Sequence, residues 1–258
     1  MAIKESLICG NINWIDIEAP NAQEMQQASD KYGLNEYTVR DCLQPEHLPK
    51  YEFVDGIHFL ILRYYAHDMG KQLVTIQELT NKVAIFYTDD FLITIHKTPI
   101  PFLQLLRNKV VAPNQCASVT DLLLRIVWNA LETFDEPANR LSEQVDFYES
   151  HVMMRKLNSD LSNALYKIKR EASSAHKVLM LMQEPINHIN IKKGEEASLQ
   201  DVRDQHLKMK ILYSQAVEDV NNLMSLSLSF SAQRTNDVMK TLTIFSVFFM
   251  PLTFIAGI

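Results

Sequence analysis

The sequence predicts an α/β domain with a mixed sheet, followed by long coiled-coil-like helices and a very long helix running into a transmembrane segment. Three observations carry that reading. Strand-like and helix-like segments alternate over about the first 100 residues, and helical periodicity takes over from Ser118. The 56 residues from Glu195 to Met250 contain neither Gly nor Pro. The 18 residues from Thr241 to Ile258 contain no charge.

The α/β region is read as residues 1–115. Asn13 to Ile17 is a strand closed by Pro20. Asn21 with Glu24 three positions later resembles a capping box, and Gly33 is a natural helix stop. A short helix from Glu36 to Leu43 ends before Pro45. Lys50–Val54 and Ile57–Tyr65 flank Asp55-Gly56, the strongest short-range hairpin signal. Val83–Tyr87 and Phe91–His96 repeat the pattern around Thr88-Asp89-Asp90. Helices first and then several strands imply an α/β or α+β domain with a mixed sheet.

Residues 116–194 read as a long helical hairpin. Ser118 with Asp121 caps a run whose apolar positions Leu122, Ile126, Leu131 and Phe134 continue as Leu141, Val145, Tyr148 and Val152. The period resumes after Pro137, so that proline is expected to kink the helix rather than end it. A second helix from about Ser159 to Gln183 is expected to stop at Pro185, the two packing antiparallel about a joint near Asn158. Residues 195–240 form a stalk helix capped by Ser198 with Asp201, with Met209, Leu212, Ala216, Val220 and Leu223 repeating at 3 and 4. With the apolar end included, the Gly- and Pro-free run would be a rod of roughly 80 Å.

Residues 241–258 read as an incomplete first transmembrane helix. They would cover about 27 Å, just short of a bilayer core of about 30 Å. Arg234 and Lys240 immediately before it put the N-terminal side in the cytoplasm. Within this end, Asn236, Met239, Thr243, Ser246, Met250, Thr253 and Gly257 follow alternating steps of 3 and 4. A seam of small, hydroxyl and Met residues serves either tight helix packing or the lining of a pore made by several copies.

Composition removes several function classes. Only 6 glycines are present, the closest two being Gly56 and Gly70, so neither a P-loop nor a dinucleotide fingerprint exists. The net charge of −6 is the wrong sign for gripping nucleic acid. Cys9, Cys42 and Cys116 are odd in number and form no CxxC, which fits reduced thiols of a cytoplasmic protein. No apolar run follows Met1 to suggest a secretory signal. The histidines show no HExxH spacing, and no nucleophile–base arrangement is legible, so no enzyme is expected. Asp201, Asp204 and His206 could suggest a transition-metal cluster, but a helix turns His206 away from the other two, and a solvated helix surface is expected there.

Asn236 to Ile244 and Met250-Pro251-Leu252-Thr253-Phe254-Ile255-Ala256-Gly257-Ile258 closely resemble the first transmembrane helix of CorA-type divalent-cation transporters. In that family Tyr-Gly-Met-Asn follows, and the chain stops just before that signature. Pro49-Lys50-Tyr51-Glu52 and Phe91-Leu92-Ile93-Thr94-Ile95-His96 resemble the family's cytoplasmic domain. The resemblance implies a funnel-shaped homo-pentamer in the inner membrane that passes Mg²⁺ and is gated by hydrated cytoplasmic Mg²⁺. It implies Asn236 at the inner pore mouth, Met239 and Leu242 as a hydrophobic gate, and Met250, Thr253 and Gly257 continuing the lining. It matches Asp201 to one half of a regulatory Mg²⁺ site and Asp41, on the neighbouring subunit, to the other. Two positions depart from the pattern: Ser225 stands where an acid often marks the funnel mouth, and Arg40 precedes Asp41. A Zn²⁺ or Co²⁺ transporter of the same family, or a membrane-tethered coiled-coil scaffold, are the alternatives.

Overall fold

The computed structural model describes residues 3–9, 12–66, 75–113, 115–154 and 159–257. Strands β1 (Ile3–Cys9) and β2 (Ile12–Glu18) precede helices α1 (Ala22–Tyr32) and α2 (Glu36–Leu43). Strands β3 (Lys50–Val54) and β4 (Ile57–Tyr65), the single turn α3 (Ile76–Leu79), and strands β5 (Thr80–Tyr87) and β6 (Phe91–His96) follow. Helix α4 (Pro101–Leu106) runs into a π-turn at Arg107–Val111. Helices α5 (Val119–Glu132), α6 (Asp135–Met153), α7 (Ser159–Asn187) and α8 (Glu196–Ala256) complete the chain. The sequence reading did not anticipate β1, α3 or α4.

The strands form a 6-stranded sheet in the order β1-β2-β6-β5-β4-β3. Only β2 and β6 are parallel, so the sheet is mixed as predicted. Asp55 and Gly56 carry the positive φ values of 53° and 80° that a two-residue type I′ hairpin needs. Asn21 closes a full capping box with Glu24, a contact worth about 1 kcal/mol.

Both faces of the sheet are covered. Phe59, Ile61, Phe86 and Ile93 face α1 and α2, where Met25, Ala28 and Cys42 meet them. The alternate residues Leu60, Leu62, Ile85 and Leu92 face a larger core built with α4 to α8. That two-sided burial explains why β4 reads as a nearly unbroken apolar run.

A polar knot joins the sheet to the π-turn. Thr94 Oγ1 donates to Asp16 Oδ1 at 2.7 Å and accepts from Trp14 Nε1 at 3.0 Å. His96 Nε2 lies 2.9 Å from Asp16 Oδ1, and Arg107 donates to Asp16 Oδ2 at 3.2 Å.

Three helix expectations need correction. Pro137 does not kink one long helix: α5 ends at Glu132, Thr133 and Phe134 turn, and Pro137 is the third residue of α6. A helix's first turn has no intrahelical use for the missing N–H, so the proline belongs there. Pro185 does not stop α7, which runs on to Asn187 with the proline inside it. Ser198 and Asp201 do not cap α8, because the helix already begins at Glu196. Glu195 instead receives the Ser118 hydroxyl and the Lys192 N–H, tying the start of α8 to the start of α5.

Helix α8 packs on α7, α6 and α5 through Leu199, Val202, His206, Met209, Tyr213, Ala216, Val220 and Leu223. Their spacing alternates 3 and 4 throughout, the seam of a coiled coil. His206 is therefore buried, not solvated, and its Nε2 donates to the Leu179 carbonyl at 2.6 Å. Burial holds its pKa below the ordinary imidazole value.

Candidate functional site

Beyond Phe230 the rod leaves the body. Every described side chain from Ser231 to Gly257 is exposed, and the most apolar 18-residue window of α8 is 0% buried. Helix α8 is 61 residues long, about 90 Å. Met239, Leu242, Phe245, Phe248 and Phe249 offer large apolar surface that the body does not cover. Apolar surface of that extent is a face for lipid or for protein to cover.

The stripe predicted on this end is not a continuation of the seam that packs on the body. Extending the 3–4 alternation from Leu223 leads to Ser227, Phe230, Arg234 and Asp237, two residues out of phase with Asn236 and Met239. On an ideal helix an offset of two residues sets them roughly 160° apart. One rod thus carries two interfaces pointing different ways. Phe248 stands on the side away from the stripe.

The hydroxyls on the stripe share one hydrogen-bond arrangement. Thr243 Oγ1 donates to the Met239 carbonyl at 2.8 Å, Ser246 Oγ to Leu242 at 3.0 Å, and Thr253 Oγ1 to Phe249 at 2.8 Å. Each proton is spent inside the helix, so each oxygen is left as an acceptor. Acceptor oxygens suit the water shell of a cation. A Cβ at Gly257 would come within 3.2 Å of the Thr253 carbonyl, and Pro251 leaves the Val247 carbonyl without its usual donor.

The two acids of the predicted regulatory pair differ sharply. Asp201 is exposed in the second turn of α8 and enters no ion pair among the described residues. Asp41, near the end of α2, has both oxygens engaged: His47 Nε2 lies 2.9 Å from Oδ1 and Lys50 Nζ donates to Oδ2. Burial opposes ionisation of Asp41, but the hydrogen bond and charge of Lys50, with His47, outweigh it and hold the pKa below the ordinary carboxylate range. No hydrogen bond or ion pair links Asp41 to Asp201 within the chain, and no group of three metal-binding side chains converges among the described residues. Both acids offer hard oxygen donors, the chemistry Mg²⁺ prefers, though at Asp41 a metal must share with Lys50.

A family model described as CorA-like Mg2+ transporter protein matches residues 10–258. The chain belongs to this family. It is 23% identical over 257 residues to the cobalt/magnesium transport protein CorA of Thermotoga maritima, covering 95% of this chain and 71% of that protein. The complete structure of the CorA magnesium transporter from Methanocaldococcus jannaschii superposes with a TM-score of 0.78 at 18% identity, covering 96% of this chain and 80% of that one. The ZntB cytoplasmic domain from Vibrio parahaemolyticus superposes with a TM-score of 0.64 at 15% identity, covering 87% and 91%.

As a CorA-family protein it is a divalent-cation transporter of the membrane, not an enzyme. The sheet and helices α1 to α7 form its N-terminal soluble body, and the apolar end of α8 enters the bilayer. Sequence reasoning missed Lys50 and His47 as partners of Asp41. Lys50 lay in plain view in Pro49-Lys50-Tyr51-Glu52, but a contact across nine positions and a loop leaves no periodic trace.

Proposed function

We propose that this CorA-family chain carries Mg²⁺, assembling as a homo-pentamer whose α8 stripes face a shared axis. The observation that carries the reading is the second seam of α8, out of phase with the first and wholly unburied in its own chain. Asn236 stands at the inner mouth, and Met239 with Leu242 forms an apolar ring that closes the path by excluding water. Thr243, Ser246, Met250, Thr253 and Gly257 continue the lining, with hydroxyl oxygens accepting from the waters of a hydrated ion. Thr243 and Leu242 are adjacent, and the pitch of the assembled pore decides which one faces the axis.

Regulation follows from the soluble body. Asp201 of one subunit and Asp41 of the next would hold hydrated Mg²⁺ between them, a weak site suited to an abundant ion. Without the metal, the facing carboxylates repel and the subunits loosen. The name of the Thermotoga relative adds Co²⁺ as a second candidate cargo.

The test is uptake by the whole protein in a Mg²⁺-starved host, with Mg²⁺, Co²⁺ and Zn²⁺ offered separately. Growth rescue and Mg²⁺ uptake support the reading. Uptake of Zn²⁺ or Co²⁺ without Mg²⁺ replaces the cargo, and no cation uptake overturns the reading.

A further inference from the structure

Asp41 already holds a cation supplied by its own chain. Lys50 Nζ donates both to Asp41 Oδ2 and to Glu52 Oε1, the latter at 2.8 Å, and lies 5.4 Å from the centre of the Phe59 ring. Its backbone is fixed as the first residue of β3, paired with Ile61 of β4. Two acids, an aromatic face and a strand therefore hold this ammonium in place.

The segment carrying Asp41 is fixed as firmly. Lys82 Nζ donates to the carbonyls of Asp41 and Cys42, both at 2.8 Å, and of Gln44 at 2.5 Å. Arg63 donates to the carbonyls of Pro45 at 2.6 Å and His47 at 3.0 Å. Arg63 and Lys82 are register partners on β4 and β5, so one point of the sheet bolts down the whole turn after α2. These bonds fix the backbone from which the Asp41 carboxylate projects.

We propose that Lys50 is a tethered competitor for the Asp41 carboxylate, so that Mg²⁺ engages Asp41 only by displacing an ammonium the fold holds there. This rests on the reading of Asp41 as a metal contact. Competition from a tethered charge raises the Mg²⁺ concentration at which the site fills. It also mutes the repulsion that Asp41 exerts on a facing acid when no metal is bound. Lys50 thus sets the threshold and narrows the difference between the two states.

Limited proteolysis of the whole protein across a Mg²⁺ titration at constant ionic strength tests this. Lys50→Met keeps the apolar stem and removes the charge. Its midpoint for Mg²⁺ protection should fall about fivefold, the equilibrium weight of a well-placed ion pair, and its resistance without Mg²⁺ should drop. Lys50→Arg should keep the wild-type midpoint. Glu52→Gln, which leaves the Lys50 charge undivided on Asp41, should move the midpoint upward, opposite to any general loosening. Should Lys50→Met fail to fold, Glu52→Gln decides alone, and an unchanged or lower midpoint overturns the proposal. A wild-type midpoint in Lys50→Met, with protection abolished in Asp41→Asn, overturns the competitor role and leaves Asp41 as a metal contact. Wild-type protection in Asp41→Asn removes Asp41 from the site, and the competitor role goes with it.

Discussion

Tyr213, in the first third of α8, donates its phenolic hydroxyl to the backbone carbonyl of Phe134 at 2.9 Å, inside the two-residue break between α5 and α6. Both side chains are fully buried and their rings meet edge to face at 6.1 Å. The neighbouring Thr133 hydroxyl accepts the N–H of Tyr65 at 2.8 Å, at the end of β4. The sheet, the helix break and the long rod therefore meet at one point. Any rotation of α8 relative to the body must strain or break the Tyr213 bond first.

Tyr213→Phe keeps the ring and leaves the Phe134 carbonyl only the Ala138 N–H as donor. The net loss of one buried hydrogen bond costs about 0.5–1.5 kcal/mol. Urea unfolding of the soluble body followed by circular dichroism should show a lower midpoint with an unchanged slope. An unchanged midpoint would mean that the ring alone fastens α8 here.

Asp16 makes acid stability testable. Burial opposes its ionisation, but His96, Thr94 and Arg107 together hold its pKa below the ordinary carboxylate value. The folded pKa is the lower one, so its stabilisation is complete above about pH 4 and is lost as pH falls through the folded value. Asp16→Asn should cost about 3 kcal/mol near neutrality, because His96 and Arg107 lose their anion. The gap to wild type in urea midpoint should then narrow as the solution is made more acidic. A constant gap across that range would show that Asp16 contributes shape, not charge.

How far the sequence could be read depended on whether the cause was local. The Asp55-Gly56 hairpin was legible because two positive φ values must fall on residues that tolerate them, and both sit side by side. The rod and its charge-free end were legible because periodicity and missing Gly and Pro need no partner to be seen. The Thr133–Phe134 break was hidden, since its causes are Tyr65 and Tyr213, far along the chain. His206 could have been found: it lies four after Val202 and three before Met209, on the coiled-coil seam, and the reading set its phase against Asp201 and Asp204 instead of against that seam. The stripe from Asn236 to Gly257 was visible, but its opposition to the buried seam was not, because the face of α8 that is buried is set by α5, α6 and α7 packing against it.

Met239 is predicted to close the pathway by drying it. Met239→Asp in the whole transporter should place a ring of carboxylates at the constriction, wet it and raise basal cation leak. Isotope flux from loaded vesicles measures this at low and high Mg²⁺. Equal flux in mutant and wild type under both conditions would remove Met239 from the gate.

Sidedness of the helix end is open to chemical labelling. With the native cysteines replaced, Ser246→Cys should react with a small water-soluble thiol reagent when the pathway is open. Phe248→Cys, on the far side of the rod, should stay protected by lipid or a neighbouring helix. Reversal of that order, or equal labelling, would mean that the stripe packs against protein and another face lines the path.

The regulatory pairing is decided most directly at Asp201, which is exposed and enters no ion pair among the described residues. If it holds Mg²⁺ against Asp41 of an adjacent subunit, wild type at ten times the dissociation constant gains about 1.4 kcal/mol per site. In the proposed pentamer, five equivalent sites acting on one assembly would turn that modest term into a sharp response. Asp201→Asn removes the metal contact and the repulsion together, so subunits should stay associated without Mg²⁺ and their protease resistance should no longer rise with it. Its position inside α8, five residues past the first turn's start, leaves little capping role to lose. Loss of helix stability therefore cannot imitate the expected result. Mg²⁺ protection identical to wild type would leave Asp201 a solvated residue on the rod.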